Sequence, residues 1–161
     1  MKEISLDNID IKLLELLQID ASQSNQSLAE KVHISPPTCL RRVKTLRDNG
    51  LIERQIAILN PDKLAEIQGY GLTALVEITL DRQGAEHLEA FEVRVIQDTA
   101  VQQCYRVSPG PDFCLIVYCA AMPAYLTLAN RLFTQDANVR NVKAFFSTKR
   151  SKFQLKIDLK R

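Results

Sequence analysis

Between residues 35 and 47 the chain reads SPPTCLRRVKTLR, with four cations and three hydroxyls within thirteen positions. Guanidinium and ammonium groups donate to phosphate oxygens and to base edges, and threonine hydroxyls can follow them into a groove. That chemistry needs a rigid support. Ser35 can cap a helix, and Pro36 suits the first helical position, where no N–H is needed. With Leu40, Val43 and Leu46 turned inward, roughly 100° per residue leaves Pro37, Thr38, Arg41 and Thr45 on the outer side, flanked by Arg42 and Lys44. Arg47 falls at the apolar edge, where its stem can lie over the core. Gly50 suits a left-handed stop after Asn49.

Two more helical patterns precede this one. Asp7 follows Leu6 as a candidate cap, and Ile9, Leu13, Leu16 and Leu17 recur at helical spacing until about Asp20. A short second helix is expected with Ser27 as its cap, Glu30 completing a capping box, and Leu28, Ala29 and Val32 inside. His33 and Ile34 make the break. Two short helices with a tight turn between them form the helix-turn-helix plan, whose second helix enters the major groove. LIERQIAIL, 51–59, then alternates like a strand and gives a candidate wing.

The period changes after a connecting segment, 60–70, in which Leu64 to Ile67 can form a helical turn. Strands are expected at 71–80, 101–107, 113–119 and 139–146, with a short last strand at 154–159. The apolar run FCLIVYC reads as a central strand buried on both sides. Helices are expected over 84–97, with Leu88, Phe91 and Val95 inward, and over 122–133, with Tyr125, Ala129, Leu132 and Phe133 inward. The order β-α-β-β-α-β is the ferredoxin-like plan. The fold class is therefore α+β, with a winged helix-turn-helix domain over 1–59, a hinge over 60–70 and a sheet domain over 71–161.

The 161 residues carry a net charge of only +2. By segment, residues 1–60 hold eight cations and eight anions, 61–139 hold five and ten, and 140–161 hold eight and one. The basic groups are thus separated from an acidic middle, which fits an anionic partner. Hydrophobic content of 46 % and charged content of 25 % are those of a globular chain. No apolar run reaches the roughly 18 residues that span a bilayer. MKEISLDNIDIK has no apolar signal segment, so export is not expected. Cys39, Cys104, Cys114 and Cys119 match no zinc spacing and read as buried thiols of a reducing cytosol. No metal or cofactor is expected.

An enzyme would need a nucleophile and base that converge, and His33 and His87 lie far apart in sequence with no nucleophile motif beside them. An RNA-binding sheet would need exposed aromatics on its central strands, for which Tyr105 and Phe113 are candidates. These are the alternatives on a ferredoxin-like scaffold.

LDNIDIKLLELLQIDA, SLAEKVHISPPTCLRRVKTLRDNGLI, VQQCYRVSPGPDFCLIVY and VRNVKAFFS, in that order, resemble the Lrp/AsnC (feast/famine) transcriptional regulators over nearly the whole chain. The resemblance implies a cytoplasmic, nucleoid-associated regulator without enzyme activity or metal. It implies a DNA-reading helix carrying Ser35, Pro36, Thr38, Arg41, Arg42 and Thr45 against double-stranded DNA. It further implies a sheet domain that forms dimers, commonly assembled into octamers, and an amino-acid effector bound between dimers. By position, Pro109, Gly110, Pro111, Asp112, Met122, Phe145, Phe146 and Ser147 would surround that effector. Here Pro109 stands where the family's T-G-x-x-D-Y has glycine, and Phe113 replaces its tyrosine. An apolar lining of Met122, Phe145 and Phe146 suits leucine or methionine.

Overall fold

The structure, a computed structural model, describes residues 5–159. It divides into two compact units. One takes the chain to Ile58 and resumes at Lys152; the other is Leu59–Ser151.

The first unit holds α1 (Asn8–Ile19), α2 (Asn25–Val32) and α3 (Pro36–Asp48). Asp7 caps α1 by accepting from the Ile9 and Asp10 amides, and Asp10 accepts from the Asp7 amide in return. Helix α2 starts earlier than expected: Ser24, not Ser27, is its cap, accepting from the Ser27 amide at 3.1 Å. Glu30 is therefore no capping-box partner and bonds Gln26 instead. Ser35 caps α3 with Pro36 in its first turn. At its end the Gly50 and Leu51 amides return to the carbonyls of Arg47 and Leu46, with Gly50 at φ +74°. This paired closure needs a left-handed residue, and glycine adopts it without steric cost.

Helix α2 ends with the same two bonds, from His33 to Glu30 and from Ile34 to Ala29, but its left-handed residue is His33 at φ 57°. A Cβ in that region crowds the next carbonyl. His33→Gly is therefore expected to stabilise the unit by about 0.5–1 kcal/mol, read as a higher midpoint in urea.

The unit closes around Leu13, Leu14, Leu28, Ala29, Val32, Cys39 and Leu46. Leu40, expected inward, is 61 % exposed. Helical geometry explains the exchange. Cys39 lies only roughly 20° from the buried Leu46 around the axis, and Leu40 roughly 120° away. The alternating segment after α3 forms no ladder, so the expected wing is absent among the described residues, and Ile56, Ile58 and Leu59 are exposed. Alternation favours an extended chain, but a strand also needs a neighbour for its amides.

The second unit begins with α4 (Pro61–Gln68), two full turns capped by Asn60 where a single turn was expected. There follow β1 (Leu72–Leu80), α5 (Ala85–Ile96), β2 (Val101–Arg106), β3 (Phe113–Cys119), α6 (Met122–Ala129) and β4 (Val139–Phe146). Helix α6 widens into a π-helical turn at Asn130–Thr134, which keeps Leu132 and Phe133 both buried. The sheet order is β2-β3-β1-β4, antiparallel throughout. Ala74, Val76 and Ile78 lie opposite Val117, Leu115 and Phe113, and form one core with Phe91, Val95, Tyr125, Leu128 and Phe133. Phe91 and Phe113 rings meet at 4.8 Å.

Strand β3 is central but not buried on both sides, because its burial alternates. Both helices cover the same face, and Leu75, Tyr105, Tyr118 and Phe145 remain exposed. Residues 154–159 form no strand of this sheet; from Lys152 onward the chain belongs to the first unit.

Candidate functional site

The first candidate surface is the outer side of α3. Arg41 is exposed and forms no ion pair among the described residues, while Lys44 and Thr45 are exposed beside it. The Thr45 hydroxyl donates to the Arg41 carbonyl at 2.9 Å, which fixes its rotamer along the helix. Leu40 joins this ridge and offers a methyl-bearing side chain of the kind that meets thymine methyls. Leu40 was expected inward, and Lys44 only as a flank of the outer side. The signal was the phase of the inward face, since Cys39 lies roughly 20° from Leu46 around the axis and Leu40 roughly 120°.

Ser35 and Thr38 hydroxyls are 2.8 Å apart at the start of the helix, and Thr38 is half-buried. Both therefore serve first to close the helix end. Pro36 is exposed, and its carbonyl accepts from Asn25 Nδ2 at 2.8 Å, tying α2 to the start of α3.

Arg42 does something other than expected. Its Nη1 donates to Asp7 at 2.7 Å and to Asp10 at 2.8 Å, while its Nε is buried without a partner. A guanidinium held this way clamps the start of α1 to the middle of α3 and is not free to enter a groove. The Asp10 amide, followed by the Arg42 guanidinium, holds the Asp7 carboxyl below the ordinary carboxylate range. A lowered folded-state pKa stabilises fully above the unfolded value, near 4, and is lost as pH falls through the folded one. Stability of the first unit is thus expected to be level from pH 7 to about 5 and to fall below about pH 4. A circular-dichroism acid titration, compared with Asp7→Asn, checks this.

The residues expected around an effector divide into two groups. In the turn, the Ser108–Pro109 peptide is cis and Gly110 has φ +124°, a conformation only glycine adopts readily. Pro111 follows, and the Asp112 amide donates to the Ile78 carbonyl at 2.8 Å. Asp112 Oδ2 accepts from the Leu80 amide at 2.7 Å and from Gln83 Nε2 at 3.2 Å. That oxygen anchors the turn to the end of β1.

Met122 opens α6, just after the Cys119 that lies opposite Leu72. The Ser147 amide donates to the Thr73 carbonyl at 2.9 Å. Phe145 stands on the open face opposite Leu75, while Phe146 turns to the helix side, where its ring meets Tyr125 at 5.1 Å. From Ile78 to Thr73 is five residues of strand, about 17 Å. One chain therefore does not bring the turn and the Met122, Phe145 and Ser147 group around a single small molecule.

The alternatives lose their residues. Phe113 is fully buried and cannot stack a base, although Tyr105 is exposed. His33 and His87 belong to different units. Cys39 and Cys119 are buried and Cys104 and Cys114 half-buried, all as free thiols. No described helix is long and apolar enough to cross a membrane.

Residues 6–47 match the AsnC-type helix-turn-helix domain, and residues 73–156 match the Lrp/AsnC ligand binding domain. The chain belongs to the Lrp/AsnC family. Leucine-responsive regulatory protein of Rhizobium meliloti (strain 1021) is 32 % identical to this Lrp/AsnC chain over 156 residues, 97 % of each. The DNA-binding transcriptional activator DecR of Escherichia coli (strain K12) is 33 % identical over 148 residues, 92 % of this chain and 95 % of DecR. Among solved structures, an AsnC family transcriptional regulator from Agrobacterium tumefaciens has a TM-score of 0.83 at 28 % identity, covering 95 % and 97 % of the two chains. A transcriptional regulator of Neisseria meningitidis, solved as an L-Met complex, has a TM-score of 0.83 at 27 % identity, covering 96 % and 97 %. The Lrp/AsnC chain is thus a transcriptional regulator and not an enzyme, with a helix-turn-helix domain and a ligand-binding sheet domain.

Proposed function

We propose that this Lrp/AsnC chain is a sequence-specific DNA-binding regulator, working in the cytoplasm on nucleoid DNA, that responds to leucine or methionine and works as an oligomer. The carrying observation is the exposed ridge of Leu40, Arg41, Lys44 and Thr45 on the second helix of a helix-turn-helix. A gel shift on its own promoter region, titrated with salt, tests it. Log affinity falls linearly with log salt, and a specific site outlasts competitor DNA.

The effector reading is supported by the Neisseria regulator's L-Met complex and by the leucine-responsive relative. The two separated residue groups fit a pocket completed by a second chain. The turn of one copy would meet the Met122 and Phe145 side of another. A thermal-shift screen of the twenty amino acids tests this, since a ligand that prefers the native state raises its melting point. Leucine or methionine is expected to give the largest shift.

Assembly is supported by the open sheet face, where Leu75, Tyr105, Tyr118 and Phe145 are each at least 42 % exposed. Two such faces packed together remove a contiguous apolar patch from water. Dimers formed there would join into octamers. Leu75→Lys is expected to reduce the sedimenting species to monomer while leaving circular dichroism unchanged, because its charge lies at the centre of that face.

A further inference from the structure

The basic segment after β4 was expected to add a strand to the sheet. It goes elsewhere. One of its residues is held through both its backbone amide and its backbone carbonyl by a single side chain. The Ile157 amide donates to Gln18 Oε1 at 2.7 Å, and Gln18 Nε2 donates to the Ile157 carbonyl at 3.1 Å. A carboxamide has one acceptor and one donor at the spacing of a peptide, so Gln18 takes the place of a neighbouring strand. Gln18 lies in the last turn of α1. Two residues on, Leu159 is half-buried against the core that Leu13, Leu28 and Leu46 form. The Ile157 side chain is 70 % exposed, so this residue is held by its backbone and not by its side chain.

Only residues 147–151 separate the end of β4 from the point at which the chain joins the first unit. The Ser147 amide is fixed to β1 through the Thr73 carbonyl. The last strand of the ligand-binding domain is thus linked, by five residues of backbone, to a segment docked on the first helix of the helix-turn-helix.

We propose that residues 152–159 are a strap, and that the strap-docked form of the first unit is the one competent to hold DNA. Resting on the DNA-binding function proposed above, this gives the sheet domain a covalent handle on the reading unit. Whatever shifts the end of β4 biases the strap between docked and free, and DNA affinity follows by linkage. Docking costs the ordering of about eight residues, which offsets much of what its hydrogen bonds to Gln18 and the burial of Leu159 contribute.

The test uses the full chain in three forms: wild type, Gln18→Ala with Leu159→Ala, and Lys152→Gln with Lys156→Gln as the charge control. Hydrogen exchange in residues 150–159 and in α1 is measured beside affinity for the promoter DNA. In the wild type, the Ile157 amide is expected to be protected. In the double alanine variant that protection falls at least tenfold, α1 exchanges faster at its C-terminal end, and DNA affinity drops about five- to tenfold with the salt slope unchanged. The charge control keeps the protection and lowers the salt slope at most slightly. Exchange of Ile157 at the rate of a free peptide in the wild type overturns the strap. Wild-type DNA affinity in an alanine variant that has lost the protection overturns its control of binding. Failure of the wild type to bind any DNA removes the function proposed above, while the docking is still decided by exchange.

Discussion

Arg42→Ala is expected to lower the melting temperature of the first unit by about 8–24 °C and to leave the sheet unit's transition in place. Removing the guanidinium strands the Asp7 and Asp10 carboxylates side by side without a counter-charge. Fully buried ion pairs cost about 3–5 kcal/mol to break from one side, and exposed ones less than about 1. Arg42 is 27 % exposed and Asp10 15 %, so about 2–3 kcal/mol is the fitting range. A domain of this size loses about 4–8 °C per kcal/mol. Arg42→Lys is expected to recover less than half of the loss, because a single ammonium does not span two carboxylates as a planar fork does. Scanning calorimetry with circular dichroism reads both variants. If Arg42 instead touched DNA, the alanine variant would melt normally and bind weakly.

Arg41→Ala has the complementary signature, with normal melting and a binding loss of about 10- to 100-fold at the specific site. The guanidinium is exposed on the reading ridge, so its removal exposes no core. A bidentate base contact is worth about 1–3 kcal/mol of discrimination, whereas a phosphate contact weakens all sequences alike and lowers the salt slope by about one. Its neighbours decide between these. Leu40 and Thr45 flank Arg41 with short or apolar groups, which allow a close approach to base edges. We therefore expect the specific-to-nonspecific ratio to collapse while the salt slope stays nearly constant. Competition gel shifts at two salt concentrations measure both.

How much of this was legible in the sequence depended on the range of each signal. Caps were legible because they act over three residues. Asp7, Ser35 and Gly50 are where their side chains and backbone freedom put them. Ser24 was missed because Ser27 with Glu30 made an equally good local pattern, and only the packing of α2 chose between them. Periodicity found both helices and all four strands of the sheet but misplaced one helix face, since Cys39 is as apolar as Leu40 and the two differ only in phase.

Alternation said that 51–59 and 154–159 are extended. It could not say what they pair with, because a strand's partner is a property of the whole fold. The position and caps of α3 were therefore legible, but not the exposure of Leu40 or the engagement of Arg42, whose aspartate partners lie 32 and 35 residues away. The residues expected around an effector were individually placeable, but their separation along β1 emerges only from the strand register.

The two ends of the Gln18–Ile157 pairing lie 139 positions apart. At roughly 5–20 residues per second of synthesis, the first helix waits about 7–28 s for its counterpart to leave the ribosome. Through that interval the nascent head lacks its final fastening, and the entire sheet must be made before it is supplied. If strap docking sets DNA affinity as proposed, a truncated product carrying the head alone is expected to compete poorly for operators.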